Sequence, residues 1–106
     1  MKHNQGFELH PGAAQDITEI WQFIAEDSPP AATRFREDIL EAIRKLASLP
    51  RQGRQRPDLT SQPLRFQTIR DYLIVYAPPE KPLLVIAIIH GHRHPRTMAA
   101  ILRRRE

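Results

Sequence analysis

Three histidines near the end of the chain, His90, His92 and His94, alternate with single intervening residues. On an extended strand that spacing puts all three rings on one face. Three imidazoles can hold zinc and leave a fourth position for water. Gly91 and Pro95 interrupt the run, and no neighbouring carboxylate is placed to orient the rings from behind. The reading is therefore His90 partly buried at a strand end, His92 and His94 facing solvent, and neither metal nor cofactor. The arginines offer a second chemistry. Arg54 and Arg56 sit in a proline-rich stretch, Arg65 opens an apolar segment, and Arg93 and Arg96 follow the histidines. A guanidinium grips carboxylates and phosphates through a planar fork. Arg65 and Arg93 are expected on a sheet face away from the helices, free to meet a partner. The alternative for Arg65 is local pairing with Asp71 or Asp58. Arg54, Arg56, Arg65, His90, Arg93 and Arg96 are the candidate partner contacts.

The balance of charge supports an anionic partner. The 106 residues carry a formal +4, with thirteen arginines and three lysines. Residues 1–50 hold five basic against eight acidic side chains; residues 51–106 hold eleven against four. A basic half of this kind suits nucleic acid or an acidic protein segment, or it is a solvated face. The length suits one domain, here read as 1–106 with a core over 7–94 and a basic tail over 96–106. No cysteine is present, which removes disulfides and thiolate metal sites. The longest apolar run, Leu83 to Ile89, is too short to cross a membrane, and Met1 to Gly6 shows no secretory signal. A cytoplasmic protein is expected.

The elements that must position these side chains follow from periodicity. Phe7 and Leu9 alternate with polar residues in a short strand. Ala13, Ile17, Ile20, Trp21 and Ile24 then recur at helical spacing behind Pro11, predicting a helix to about Glu26. Ser28 and Pro29 start a second helix, whose stripe of Ala32, Phe35, Ile39, Ala42, Ile43, Leu46 and Leu49 runs to Pro50. A three-residue connection makes the two an antiparallel hairpin. Arg51 to Pro63 reads as a loop. Strands follow at Leu64 to Ile69, Tyr72 to Tyr76 and Leu83 to His90, joined by short turns. A helical turn or two around Met98, Ile101 and Leu102 precedes a frayed Arg103-Arg104-Arg105 tail. The order is β-α-α-β-β-β, an α+β fold with the helical hairpin packed on one face of an antiparallel sheet. The expected core is Trp21, Phe35, Ile39, Ile43, Leu46, Ile74, Tyr76, Val85 and Ile88.

Four segments, in this order and spacing, resemble the RelE/ParE superfamily of type II toxin–antitoxin toxins, and its ParE branch most closely. They are Leu9-His10-Pro11 with Ala14, Asp16-Ile17 and Ile20; Leu46-Ala47-Ser48-Leu49-Pro50 with Gly53-Arg54; Leu64-Arg65 leading into Tyr72-Leu73-Ile74-Val75-Tyr76; and Ile89-His90-Gly91-His92-Arg93. The resemblance implies a growth-inhibiting toxin, neutralised by a cognate, ParD-like antitoxin in a hetero-oligomer. It implies DNA gyrase as target for a ParE-like member, and contact with operator DNA only through the antitoxin. For a RelE-like member it implies ribosome-dependent mRNA cleavage instead.

RelE-like nucleases resemble one another in a set of sheet lysines and arginines and a tyrosine near the C-terminus. Here only Lys2, Lys45 and Lys81 are lysines and no tyrosine follows Tyr76. A variant set in the superfamily pairs a carboxylate base with a histidine acid; its counterparts here would be Asp58, His92, Arg65 and Arg93. The favoured reading is a gyrase inhibitor that is not an enzyme. Ile20, Phe23, Phe35 and Ile39 are the expected antitoxin contacts. Phe23 stands about 100° from the core axis of its helix, where it lines a groove or seals the sheet rim.

Overall fold

The computed structural model describes residues 6–78 and 81–106. Residues 1–5 of the stretch read above for a signal, and part of the turn between Pro78 and Lys81, lie outside the described residues. Strand β1 (Phe7–Leu9) leads into helix α1 (Pro11–Ala25), where Pro11 stands at the first helical position and the His10 Nδ1 accepts the Gly12 N–H at 2.9 Å. Helix α2 (Pro29–Ser48) starts at Ser28, whose hydroxyl accepts the Ala31 N–H. Four strands follow: β2 (Arg54–Gln55), β3 (Arg65–Ile69), β4 (Tyr72–Ala77) and β5 (Leu83–His90). Helix α3 (Pro95–Arg104) closes the chain.

The fold is α+β, as expected, with three differences. The sheet is mixed. Its order is β1-β5-β4-β3-β2, and β1 runs parallel to β5 while all other pairs are antiparallel. The helical hairpin between β1 and the rest carries the chain back, so β1 enters beside β5 in the same direction. The stretch read as a loop contributes β2, two residues paired with β3. The helical turn or two expected around Met98, Ile101 and Leu102 is a ten-residue helix that buries Met98 and Leu102 and takes in Arg103 and Arg104 of the tail read as frayed.

Two apolar layers result. On one face, Ala13 and Ile17 of α1 and Phe35, Ile39, Ile43 and Leu46 of α2 pack on Ile74, Tyr76, Val85 and Ile88. On the other, Leu59 and the α3 residues Met98 and Leu102 cover Phe66, Val75, Ala87 and Ile89. This double cover explains why β5 reads as a nearly continuous apolar run. Trp21 is the one expected core residue outside both layers. The buried stripe of α1 runs through Ala13 and Ile17, with Ile20 and Ile24 packed behind, and leaves Trp21 at its margin.

Between Val75 and Tyr76 the β4–β5 register slips by one, so Ile86 is an extra residue on β5. The bulge puts Ile86 and Ala87 on the same apolar face. Under the hairpin, the buried Tyr76 hydroxyl donates to Pro50 O and accepts from Gly53 N, both at 2.8 Å. A Cβ at Gly53 would lie 2.7 Å from that hydroxyl, so only glycine fits. Desolvation pushes the Tyr76 phenol above its ordinary pKa, against the opposing pull of the Gly53 contact.

Candidate functional site

β1 is short. Its pairing with β5 stops at Leu9 opposite Val85, and the His10 N–H makes the last backbone bond, to Val85 O. From Ile86 onward β5 has no strand on that side, a feature that natural sheets usually cover. Two side chains do so here. The Asp16 carboxylate accepts the Ile88 N–H at 2.9 Å, and the Arg105 Nη1 donates to Ile86 O at 3.1 Å. The same two residues grip each other through a double contact, Nη1 to Oδ2 at 2.6 Å and Nη2 to Oδ1 at 3.0 Å. Their side chains retain 17% and 18% exposure, so this pair is largely withdrawn from water. It ties α1 on one face to α3 on the other across the edge of β5. Gly12 makes room for it: a Cβ there would fall 2.3 Å from Arg105 Nε.

Beyond this clamp a groove of about 290 Å³ opens between α1, the end of β5 and α3. Ile20, Phe23, Ile88 and Ile101 make its apolar walls, and Glu19, His90 and Arg93 line it as well. Phe23 is 71% exposed, the most exposed large apolar side chain described. Because the Ile88 N–H faces this edge, strand alternation turns the Ile88 carbonyl and the His90 N–H the same way. The groove therefore offers backbone polar groups, apolar walls and side chains of both charges. A row of edge-on rings supports its floor. Phe35 meets Tyr72 at 5.3 Å between centroids, Tyr72 meets His90 at 5.2 Å, and His90 meets His92 at 5.2 Å. Burial raises the Tyr72 pKa, with the nearby Asp71 charge adding to the shift.

The expected contacts divide across the molecule. Ile20, Phe23, His90 and Arg93 come together in the groove. Phe35 and Ile39, expected to meet an antitoxin, are each 1% exposed and lie in the core under α2, where no partner reaches them. They carry the stripe that glues α2 to the sheet, and burial and docking are incompatible uses of one face. Arg65 stands directly across from Tyr76, so it lies on the helix-bearing face and not the opposite one. Its Nη1 donates to Gly53 O at 2.6 Å and Arg51 O at 3.4 Å; neither Asp58 nor Asp71 pairs with it. Arg93 lies in the turn beyond β5, not on a sheet face. Arg54 lies on the β2 edge, and Arg96 in the first turn of α3. Arg56 holds Asp58 through two contacts, 3.0 and 2.8 Å, and that hydrogen bonding keeps the Asp58 pKa low. The alternation of the histidines ends at His90. Its Nδ1 accepts the His92 N–H, and the His94 Nδ1 caps α3 by accepting the Arg96 N–H.

Periodicity did not reveal Asp16 and Arg105 as a pair, since 89 positions separate them. Tyr72 carried a signal, an aromatic opening a strand beside a histidine-ended one, but its place in the ring row needed the register.

The profile described as ParE toxin of type II toxin-antitoxin system, parDE, matches residues 7–95. The chain belongs to the ParE toxin family. No individual curated protein matches it. The matched span takes in all five strands, the helical hairpin and every groove residue except Ile101. Family membership makes the chain a toxin of a type II toxin–antitoxin system and implies an antitoxin partner. Among the described residues, no helix is long and apolar enough to cross a membrane.

Proposed function

We propose that this ParE-family toxin arrests growth by binding DNA gyrase, and that its antitoxin neutralises it by occupying the α1–β5 groove. The observation that carries the antitoxin half is Phe23, 71% exposed above a groove whose floor includes an open strand edge. An extended segment with apolar side chains suits such a groove, pairing with backbone while its side chains fill the walls. The gyrase half rests on the family and on how the arginines and Asp58 are spent. Asp58, the carboxylate offered as a general base, is committed to Arg56, and one nitrogen of Arg65, its Nη1, to the Gly53 and Arg51 carbonyls. A base needs to be free and within reach of the proton that it takes. These commitments favour binding over cleavage.

The test is direct. Purified toxin is divided between a gyrase supercoiling reaction and a translation reaction read by primer extension on the mRNA. Lost supercoiling with intact mRNA is the expected result. Codon-positioned cuts with gyrase unaffected would replace the gyrase reading with a ribosome-dependent nuclease, with His92 and Arg93 as the residues to mutate first. For the groove, Phe23→Asp is expected to weaken antitoxin binding at least about tenfold while the variant keeps its fold; unchanged affinity refutes that half alone.

A further inference from the structure

A second concavity lies at the far corner of the sheet, where β3 begins and β4 ends. It measures about 330 Å³ and is lined by Pro50, Arg51, Gln55, Pro63, Arg65 and Pro78. It shares no residue with the α1–β5 groove. Among the described residues, two guanidinium side chains line it and no carboxylate does. The ion pairs of the described residues employ Arg56, Arg70 and Arg105, leaving Arg51 and Arg65 outside them. Both hydrogen bonds of the Arg65 head run through Nη1, so its Nε and Nη2 are available to a ligand. That head is also held still. Its 2.6 Å bond to Gly53 O anchors it to a loop segment which the buried Tyr76 hydroxyl fixes from beneath. A planar fork locked in place before a ligand arrives loses little freedom on binding a carboxylate. Three prolines stiffen the rim in the same sense.

The surface beside this concavity is apolar. Leu49 is 62% exposed and forms a shallow contact surface with Ser48, Pro50, Arg51 and Gln52. A phosphate backbone gains nothing from a leucine at the mouth of its site. An acidic peptide with an aliphatic neighbour gains twice, once from the fork and once from the buried leucine surface.

We infer that Arg51 and Arg65 form a second docking site, which takes a glutamate or aspartate of an acidic, leucine-bearing segment of a protein partner. The inference goes beyond the toxin–antitoxin reading and does not depend on which target the toxin has. The carboxylate sits on the free N–H groups of Arg65 with Arg51 closing over it, and the adjoining aliphatic side chain lies on Leu49 and Pro50.

The test is a nuclear magnetic resonance titration of the full chain with a blocked peptide of alternating leucine and glutamate. Saturable shifts are expected at the Gly53 amide and the Arg65 Nε–H. Arg51→Gln is expected to weaken binding about tenfold, the scale of one lost charge-assisted hydrogen bond. Leu49→Ser should weaken it about threefold. Both side chains are exposed, and the unliganded spectrum of each variant reports whether its fold is kept. Phe23→Ala should leave the titration unchanged. Three results would overturn the inference. One is equal shifts from a peptide with glutamine in place of glutamate. Another is shifts confined to Phe23 and His90. The third is a short DNA duplex moving the Gly53 and Arg65 resonances, with steep salt dependence, while the peptide does not; that result would make the site a phosphate contact.

Discussion

Removing Arg105 should destabilise the whole domain, although it is the penultimate residue of the chain. Arg105→Ala deletes the contacts of 2.6 and 3.0 Å to Asp16 and the 3.1 Å bond to Ile86 O. Asp16 is left with one backbone partner, the Ile88 N–H, in a position that keeps only 17% of its side chain exposed. An exposed ion pair is worth about 0–1 kcal/mol and breaking a fully buried one costs about 3–5 kcal/mol. With about a sixth of each side chain still wet, the expected loss is about 2–3 kcal/mol. For a domain of this size that is about 10 °C in Tm. In urea, with a slope of about 1.5 kcal/mol/M, the midpoint falls by about 1.3–2 M. The assay is chemical denaturation of four proteins: the natural chain, Arg105→Ala, Asp16→Ala and the double variant. A coupling of about 1–2 kcal/mol between the two sites is expected, because either single change strands the other group. Arg105→Lys should recover less than half of the loss, since an ammonium cannot span both carboxylate oxygens and Ile86 O. A loss below about 0.5 kcal/mol for Arg105→Ala, or simple additivity in the double variant, would refute the clamp.

Tyr76→Phe removes the hydroxyl that serves both Pro50 O and Gly53 N, and should cost about 2–3 kcal/mol by thermal denaturation, with faster hydrogen exchange at Gly53. The raised Tyr76 pKa gives the same group a pH signature. Folding holds the phenol protonated, so its contribution is complete below the unfolded value of about 10 and is lost as the pH climbs through the higher folded value, a decline that Tyr76→Phe should reduce in alkaline unfolding curves. Gly12→Ala places a Cβ against the Arg105 head and should weaken the clamp, showing as a lower urea midpoint despite alanine's better helix propensity. Asp58→Asn breaks only an exposed pair with Arg56 and should leave growth inhibition on expression unchanged, as scored by plating; lost toxicity would return Asp58 to the catalytic candidates.

Local structure was legible because it is written in local periods. The α2 stripe, the proline and serine at its start and the alternation ending at His90 each report a neighbour within a few residues. The strands β3, β4 and β5 were visible for the same reason, and Gly53 was visible in the motif although not for its clearance to Tyr76. What the stripe does not report is its use. Phe35 stood both in the expected core and among the expected antitoxin contacts, and packing decides between these uses: Phe35 is buried against the sheet while Phe23 stands in water. The face of Arg65 follows from the β3–β4 register, where a shift of one residue reverses every side chain. The parallel entry of β1 beside β5 likewise needed the path of the helical hairpin in space.

The sequence by itself therefore determined the long helices, the three main strands, their order and the family that they spell, since hydrophobic period and turn chemistry act over short stretches of chain. Tertiary structure alone decided which apolar residues remain open to a partner and which arginines are already engaged. It also joined Asp16 to Arg105 across 89 positions, an electrostatic contact that depends on distance through space and leaves no trace in the spacing of residues along the chain.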